Sequence, residues 1–500
     1  MKSRDKIITW VVLALGVFLR FYRLSGKSFW CDEFLAISLG RMGLREMAGW
    51  VLVNDAHPPV FYSIFHFILR FTSSEAGLRF LPAVFGAGAM LMFWLLLKRF
   101  APRKNAFLLP LALFALSPAA ILWSRIVKPY SFITFFSLLS VYSFLSLGET
   151  RRLRHGLCWL LSTVILVYLH NYGAIIFAAQ AITLLLRRKS MPVKSFVLPA
   201  CGILLAYLPY LAGPIFSQLA FAKGAVHTVT NPFLRIAYAF YYFVFGETLS
   251  PLNLMIVIPG GAAFFFFFVM GLFRREENLL KTFSLAAFII AAALFFGVAS
   301  TIPQNLVHLQ PFFYVTVVSG IYSARQARVR FMSGALLLFF LLPSVYFYYR
   351  GESLQYHDVS KLIPYREISR MIEARGKEGE AVIFTEPRER RFSSFFEPYS
   401  PWDWYYKGSL PVFEVSPSTR DSGSEMADIA GKHDGFWLLL NYGFVEPSWN
   451  RVVLDFFSKG KSVKIKEMKF VPNVSFLDVL KGKSRGRYYF LEVYHISKDG

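Results

Sequence analysis

Five of the ten carboxylates in the first 349 residues fall between positions 25 and 78: Asp32, Glu33, Glu46, Asp55 and Glu75. Two of them adjoin in Phe29-Trp-Cys-Asp-Glu-Phe34, just beyond an apolar run from Ile7 to Leu19. A carboxylate beside a bilayer is costly unless it is solvated, paired or functional. A pair of acids so placed asks for an explanation, which makes Asp32 and Glu33 the leading catalytic candidates. The same dipeptide also suits an interfacial loop anchored by Phe29 and Trp30, with both acids facing water. Downstream, Asp55-Ala-His57-Pro58-Pro59 sets an acid and an imidazole two residues apart before a double proline able to start a helix. An ordinary loop-to-helix junction with an incidental His is the alternative. Glu75 and Arg79 stand four apart and could pair. In Ser124-Arg-Ile-Val-Lys-Pro-Tyr130, Arg125 and Lys128 offer a fork and a point charge that suit a phosphate. Two cations snorkelling to lipid headgroups would look the same. His170-Asn171-Tyr172 interrupts an apolar stretch, either as a further donor for the same cleft or as packing.

Composition sets what must position these residues. The chain has 500 residues, 55% of them hydrophobic and 18% aromatic, with 54 Lys and Arg against 31 Asp and Glu. With a mean hydropathy of +0.45, it is not a wholly soluble protein. The excess charge of +23 is unevenly spread: 31 basic and 10 acidic side chains precede position 350, and 23 and 21 follow. It lies in short clusters between apolar runs, the pattern of cytoplasmic loops, and points to no nucleic-acid partner. Cys31, Cys158 and Cys201 are too few and too scattered for a disulfide framework or a metal ligand set. The first apolar run follows Lys2, Arg4 and Lys6 as in a signal peptide, but no small-residue cleavage site follows it, so it is read as a first span.

Placing the clusters Lys2/Arg4/Lys6, Lys98/Arg99/Arg103/Lys104, Arg151/Arg152/Arg154, Arg187/Arg188/Lys189/Lys194, Arg274/Arg275 and Arg325/Arg328/Arg330 inside predicts about eleven transmembrane helices. These run over 7–24, 79–98, 106–124, 130–148, 157–171, 173–186, 195–213, 253–273, 281–299, 305–323 and 331–349, with the N-terminus cytoplasmic. Residues 58–72 and 233–246 are placed in the outer interface as amphipathic helices. The 30 residues from Leu157 to Leu186 must cross twice, so those helices should be short, tilted or broken near Asn171-Tyr172-Gly173. Beyond Arg350, short apolar runs such as Ala381–Phe384 and Phe436–Leu440 alternate with polar helical stretches. The expected organisation is a transmembrane domain over 1–349, whose first outer loop 25–78 carries the Asp-Glu motif, and an extracytoplasmic α/β domain over 350–500.

Taken in order, the Trp-Cys-Asp-Glu loop, Asp-Ala-His-Pro-Pro, Gly77-Leu-Arg79-Phe-Leu-Pro-Ala83 with Gly86, Ser117-Pro118, Ser124-Arg125 to Pro129-Tyr130 and His170-Asn-Tyr resemble the N-terminal half of the GT-C glycosyltransferases. The chain is most similar to the bacterial protein O-mannosyltransferase and aminoarabinose transferase group (glycosyltransferase family 39-like). The resemblance implies a polytopic α-helical membrane protein of GT-C type, in a bacterial or archaeal cytoplasmic membrane. It would move a hexosyl or pentosyl group from a polyprenyl-phosphate carrier, in contact with membrane lipid, to a hydroxyl on a glycan, lipid or protein at the outer face. It implies Asp32 as general base with Glu33 beside it, and Asp55, His57, Arg79, Arg125, Lys128, Tyr130 and His170 around the donor. No cofactor is assigned, and a divalent metal is left open. The pattern departs from many relatives at Pro303-Gln304-Asn305, where an Arg follows the proline, and at Lys128, where an acid is common. The competing readings are a polytopic transporter, disfavoured by nearly acid-free spans and no repeated broken helices, and a non-catalytic envelope-assembly protein.

Overall fold

The computed structural model describes residues 3–101, 107–225, 231–249, 251, 253–274, 278–298, 302–350, 364–385, 401–416, 422–441, 447–458, 463–470 and 489–497. Lys2, Arg103, Lys104 and Arg275 of the basic clusters lie outside them. The chain divides into two compact units, one of Met1–Ser25 with Leu39–Tyr349 and one of Gly26–Ser38 with Arg350–Gly500.

The first unit is helical, and six of its helices are long and apolar enough to cross a membrane: Glu75–Phe100, Tyr130–Thr150, Lys194–Leu211, Leu254–Phe273, Leu279–Gly297 and Ala327–Tyr349. Length and apolar composition thus carry six spans among the described residues, where charge placement led us to expect eleven. The differences have local causes. The stretch expected as one helix over 106–124 is two, Leu108–Ala115 and Pro118–Trp123. The Ser117 side chain accepts the Ala120 N–H (3.2 Å) and Pro118 sits at the first helical position, so a new helix starts there. The stretch over 305–323 begins as a 3-10 segment, Pro303–Leu309, before the helix Gln310–Ile321. Between Leu157 and Leu186 the chain breaks where the length argument requires, with helices Leu153–Leu169 and Ala174–Leu186 joined by the 3-10 turn Asn171–Gly173. Short helices Val60–Ile68 and Pro232–Phe245 occupy the two stretches expected at the interface.

Packing inside this unit follows the rules of a lipid solvent. On Leu254–Phe273, Met255, Ile258, Phe265 and Phe266 are exposed, as suits side chains facing acyl chains. The opposite side approaches Gln310–Ile321 through glycine: a Cβ on Gly271 would lie 1.9 Å from the Thr316 carbonyl, and one on Gly320 1.9 Å from that of Phe267. Only glycine permits that backbone contact. Polar side chains stitch three neighbouring helices, with Trp159 Nε1 donating to Gln180 Oε1 (2.8 Å), Gln180 Nε2 to Ser140 Oγ (2.9 Å), and Ser140 bonded to Thr163 (2.8 Å).

The second unit holds a five-stranded sheet of β1 (Glu380–Thr385), β2 (Val412–Val415), β3 (Gly435–Asn441), β4 (Val463–Phe470) and β5 (Tyr489–Ser497), in the order β2-β1-β3-β5-β4. β1 runs parallel to β2 and β3, whereas β5 is antiparallel to β3 and β4. The unbroken apolar run in β3 is explained by cover on both faces. Phe436, Leu438 and Leu440 enter one core with Met426, Ile429, Val453 and Phe457, and Trp437 and Leu439 enter another with Ile368, Ile372, Trp402 and Tyr406. Glu380 pins β1 to β5 and β3: its Oε1 meets His495 Nε2 at 2.6 Å, and its Oε2 accepts Trp437 Nε1 (2.8 Å) and the Lys377 N–H (3.0 Å). Burial alone would raise its carboxyl, and the hydrogen bonds outweigh that, holding it below the ordinary carboxylate value.

Candidate functional site

The Asp-Glu segment is built by local rules. Helix Cys31–Arg41 begins after Trp30, whose carbonyl accepts the N–H groups of Glu33 (2.9 Å) and Phe34 (3.1 Å). Glu33 Oε2 reaches back to accept the Trp30 N–H at 3.0 Å, the carboxylate half of a capping box. Phe29 and Phe34 meet edge to face at 5.6 Å, the apolar staple that accompanies such a cap. Glu33 is therefore buried and engaged in starting its own helix, while Asp32, one residue earlier in the first turn, is half-buried. Both acids lie in the first turn of this helix.

The second acidic element belongs to the membrane unit. Asp55 follows helix Leu44–Asn54 in extended backbone, capping it through an N–H to the Val51 carbonyl. Its Oδ1 accepts the His57 N–H (2.9 Å) and His57 Nδ1 (2.7 Å), and its Oδ2 accepts the Tyr62 hydroxyl (2.5 Å). An ionised carboxylate only accepts, so His57 carries its proton on Nδ1 toward Asp55 and turns Nε2 the other way. Burial would raise the Asp55 carboxyl, but His57, Lys128 and Tyr62 outweigh burial and hold it below the usual carboxylate range. The His57 and His170 rings stand 4.8 Å apart, and Tyr130 lies 6.5 Å from His57 and 5.9 Å from His170. Asp55, His57, Lys128, Tyr130 and His170 are thus brought together.

Arg125 and Arg79 are placed differently. The buried Arg125 guanidinium donates to the carbonyls of Leu19 (3.1 Å), Tyr22 and Arg23 (2.9 Å), at the end of helix Ser3–Phe21, and to the hydroxyls of Tyr348 (3.1 Å) and Tyr349 (3.3 Å). A cation capping the orphan carbonyls of a helix explains a buried Arg at this turn without invoking an anion. Arg79 donates to the Leu24 carbonyl (2.9 Å), the same chain exit.

The sequence profile of a family described as dolichyl-phosphate-mannose-protein mannosyltransferase matches residues 48–167, a stretch that contains Asp55, His57, Arg79, Arg125, Lys128 and Tyr130. No curated protein matches the sequence. Among solved structures, ArnT from Cupriavidus metallidurans in the apo state is 10% identical, with 100% of this chain and 99% of that one aligned at a TM-score of 0.52. The fold is that of the GT-C glycosyltransferases. The same ArnT bound to undecaprenyl phosphate aligns over 99% and 98% of the two chains at 10% identity and a TM-score of 0.49. The Archaeoglobus fulgidus oligosaccharyltransferase aligns over 90% of this chain and 70% of its own at 13% identity and 0.47.

Within this GT-C fold, further side chains complete the cluster, and sequence reasoning passed over Gln218, His308 and Glu247 among them. Gln218 takes the Tyr210 hydroxyl and Asn171 Nδ2 (3.2 Å) on Oε1, and donates Nε2 to the carbonyls of His57 (2.6 Å) and Val51 (3.4 Å). Asn171 also donates to the Ala56 carbonyl (3.1 Å), so the Asp55–His57 loop is held along its backbone. Asn305 Oδ1 accepts the Tyr130 hydroxyl (3.3 Å). His170 accepts the Tyr172 N–H on Nδ1 (3.1 Å), and its buried Nε2 has no hydrogen-bond partner among the described residues, nor does either ring nitrogen of buried His308. Glu247, also buried, accepts the Tyr242 hydroxyl at 3.3 Å. Single polar residues in apolar windows give almost no signal; only Glu247, one of ten acids before position 350, stood out enough to be found. Among the described residues, no group of three His, Cys, Asp or Glu side chains is arranged to hold a metal ion.

Proposed function

We propose that this GT-C membrane protein transfers a sugar from a polyprenyl-phosphate carrier to a hydroxyl acceptor at the outer face of a bacterial or archaeal cytoplasmic membrane. In this reading residues 1–349 form the membrane domain with a cytoplasmic N-terminus, and residues 350–500 lie outside. The observation that carries it is the cluster of half-buried His57 with buried Asp55, Lys128 and His170, lying within or beside the stretch matched by a family described as dolichyl-phosphate-mannose-protein mannosyltransferase.

The chemistry asks for little. The acceptor oxygen bonds to the anomeric carbon as that carbon's bond to the phosphate oxygen breaks. The polyprenyl phosphate leaves as an anion and needs no proton, so the protein supplies a base for the hydroxyl and positive charge for the phosphate. Asp32 takes the hydroxyl proton. Lys128 meets the growing phosphate charge, with His57, oriented by Asp55, and His170 as further donors. Arg125 and Arg79 hold the chain after the first helix, Tyr130 orients Asn305, and Glu33 shapes the turn that carries Asp32. One displacement inverts the anomeric carbon, because no second carboxylate is needed as nucleophile.

The test is reconstitution of the purified chain in liposomes with short-chain polyprenyl-phosphate sugars, following release of polyprenyl phosphate. Release that depends on an envelope-derived acceptor is expected. A chain that releases none from any hexose or pentose donor, while folded, is not this enzyme. Mass spectrometry of envelope glycans, glycolipids and glycoproteins with and without the gene identifies the acceptor.

A further inference from the structure

The five-residue helix Pro401–Tyr405 carries four aromatic rings in and just after it, and they divide between two tasks. Trp402 and Tyr406, four apart and therefore on one face, stack at 4.8 Å and pack with Val382, Trp437 and Leu439 in the core under the sheet. Trp404 and Tyr405 point elsewhere. Trp404 lies edge to face with Phe29 (5.7 Å) and Phe34 (6.1 Å), and Tyr405 stands 6.3 Å and 6.2 Å from the same two rings. The Tyr405 hydroxyl also accepts the Phe29 N–H at 2.7 Å. A second clasp comes from helix Tyr365–Arg375, where Ser28 Oγ donates to Glu367 (3.3 Å) and accepts the Arg366 N–H (3.2 Å). Phe29 and Phe34 are the two ends of the apolar staple that brackets Asp32.

We propose that Trp404 and Tyr405 are positioning residues for Asp32: within their shared compact unit they grip the Phe29–Phe34 staple and so fix the direction of the carboxylate that the staple brackets. This deepens the reading above and rests on Asp32 being the base. It gives two of the aromatics after Arg350 a part in the reaction without contact to sugar or lipid. A carboxylate at the first turn of an 11-residue helix moves with that helix, and the staple is the end of the helix that Trp404 and Tyr405 hold. A small tilt there misdirects the proton-accepting oxygen while leaving donor and acceptor contacts in place.

The experiment compares full-length, liposome-reconstituted wild type, Trp404→Leu, Trp404→Phe and Tyr405→Phe, each alone and combined with Asp32→Asn, with melting temperature as the folding control. For Trp404→Leu, kcat is expected to fall by about tenfold to a hundredfold with both KM values unchanged, since misplacement by about 1 Å costs that much. Tyr405→Phe should lose a smaller part, and Trp404→Phe should recover most of the rate because it keeps a ring against Phe29 and Phe34. In the Asp32→Asn background none of the three should lower the residual turnover further. A proportional loss in that background, a rise in acceptor KM with kcat intact, or no change in kcat overturns the positioning role. If Asp32→Asn itself turns over at the wild-type rate, the base assignment falls instead; if Asp32→Asn is inactive and Trp404→Leu is not, only the positioning role falls.

Discussion

In the Phe29–Phe34 turn, two adjacent acids divide their work: Glu33 closes the helix start on the Trp30 N–H, and half-buried Asp32 sits beside it. In Asp55-Ala-His57, a single buried carboxylate does both jobs, tying its loop to the His57 N–H and the Tyr62 hydroxyl and orienting the His57 imidazole. The contrast shows how each segment can be damaged. Where structure and chemistry fall on neighbouring residues, they separate by mutation. Where one residue holds both, removing it takes fold and function together.

The largest effect is therefore expected at Asp55. Asp55→Ala strips His57 and Tyr62 of a shared acceptor and Lys128 of a nearby negative charge, and leaving a buried charge without its counterpart costs about 3–5 kcal/mol, readable as thermal unfolding in detergent. The pH dependence has a definite sign. The Asp55 carboxyl lies below its ordinary value in the folded chain, so its stabilisation is fully present above about pH 3.9 and fades as pH falls through the lowered value. Melting temperature should lose this contribution only in strong acid, and Asp55→Asn should remove that acid-side loss.

A middle-sized effect distinguishes the two cations of the Ser124–Tyr130 turn. Lys128→Gln should weaken binding of a short-chain polyprenyl-phosphate sugar by about 1.5–3 kcal/mol, the worth of one charged hydrogen bond. Arg125→Gln should leave donor affinity unchanged and lower thermal stability by a similar amount, because its bonds go to helix-end carbonyls and tyrosines. The reverse pattern would return the phosphate to Arg125. The smallest effect is at Glu33. Glu33→Ala should cost about 1 kcal/mol as a lost cap, and Glu33→Gln less, since the amide can still accept the Trp30 N–H.

Much of the fold was legible because hydropathy and charge act over long windows. The break at Asn171–Gly173 followed from too few residues for two crossings, and the strands at Ala381–Phe384 and Phe436–Leu440 from short apolar runs in polar surroundings. The split at Ser117-Pro118 was also in reach, since Ser before Pro is a helix-start signal, yet the hydropathy of 106–124 hid it. The candidate site was legible as motifs and not as partners. Nothing local tells that Gln218 reaches back to His57, or that Arg125 spends its fork on Leu19, Tyr22 and Arg23, because those contacts exist only once distant helix ends meet. Sequence alone does not separate Trp404 and Tyr405 from Trp402 and Tyr406 for the same reason: a run of rings does not say which face of a short helix each occupies.

Single-turnover transfer by purified wild type and Asp32→Asn, at saturating donor and acceptor and with equal melting temperatures, bears most directly on the division of labour between Asp32 and Glu33. The amide keeps the shape of the side chain and cannot accept the hydroxyl proton, so turnover should fall by about 10²-fold to 10⁴-fold with donor affinity unchanged, while Glu33→Gln keeps most of its rate. Wild-type turnover by Asp32→Asn on a donor the protein demonstrably uses would contradict it.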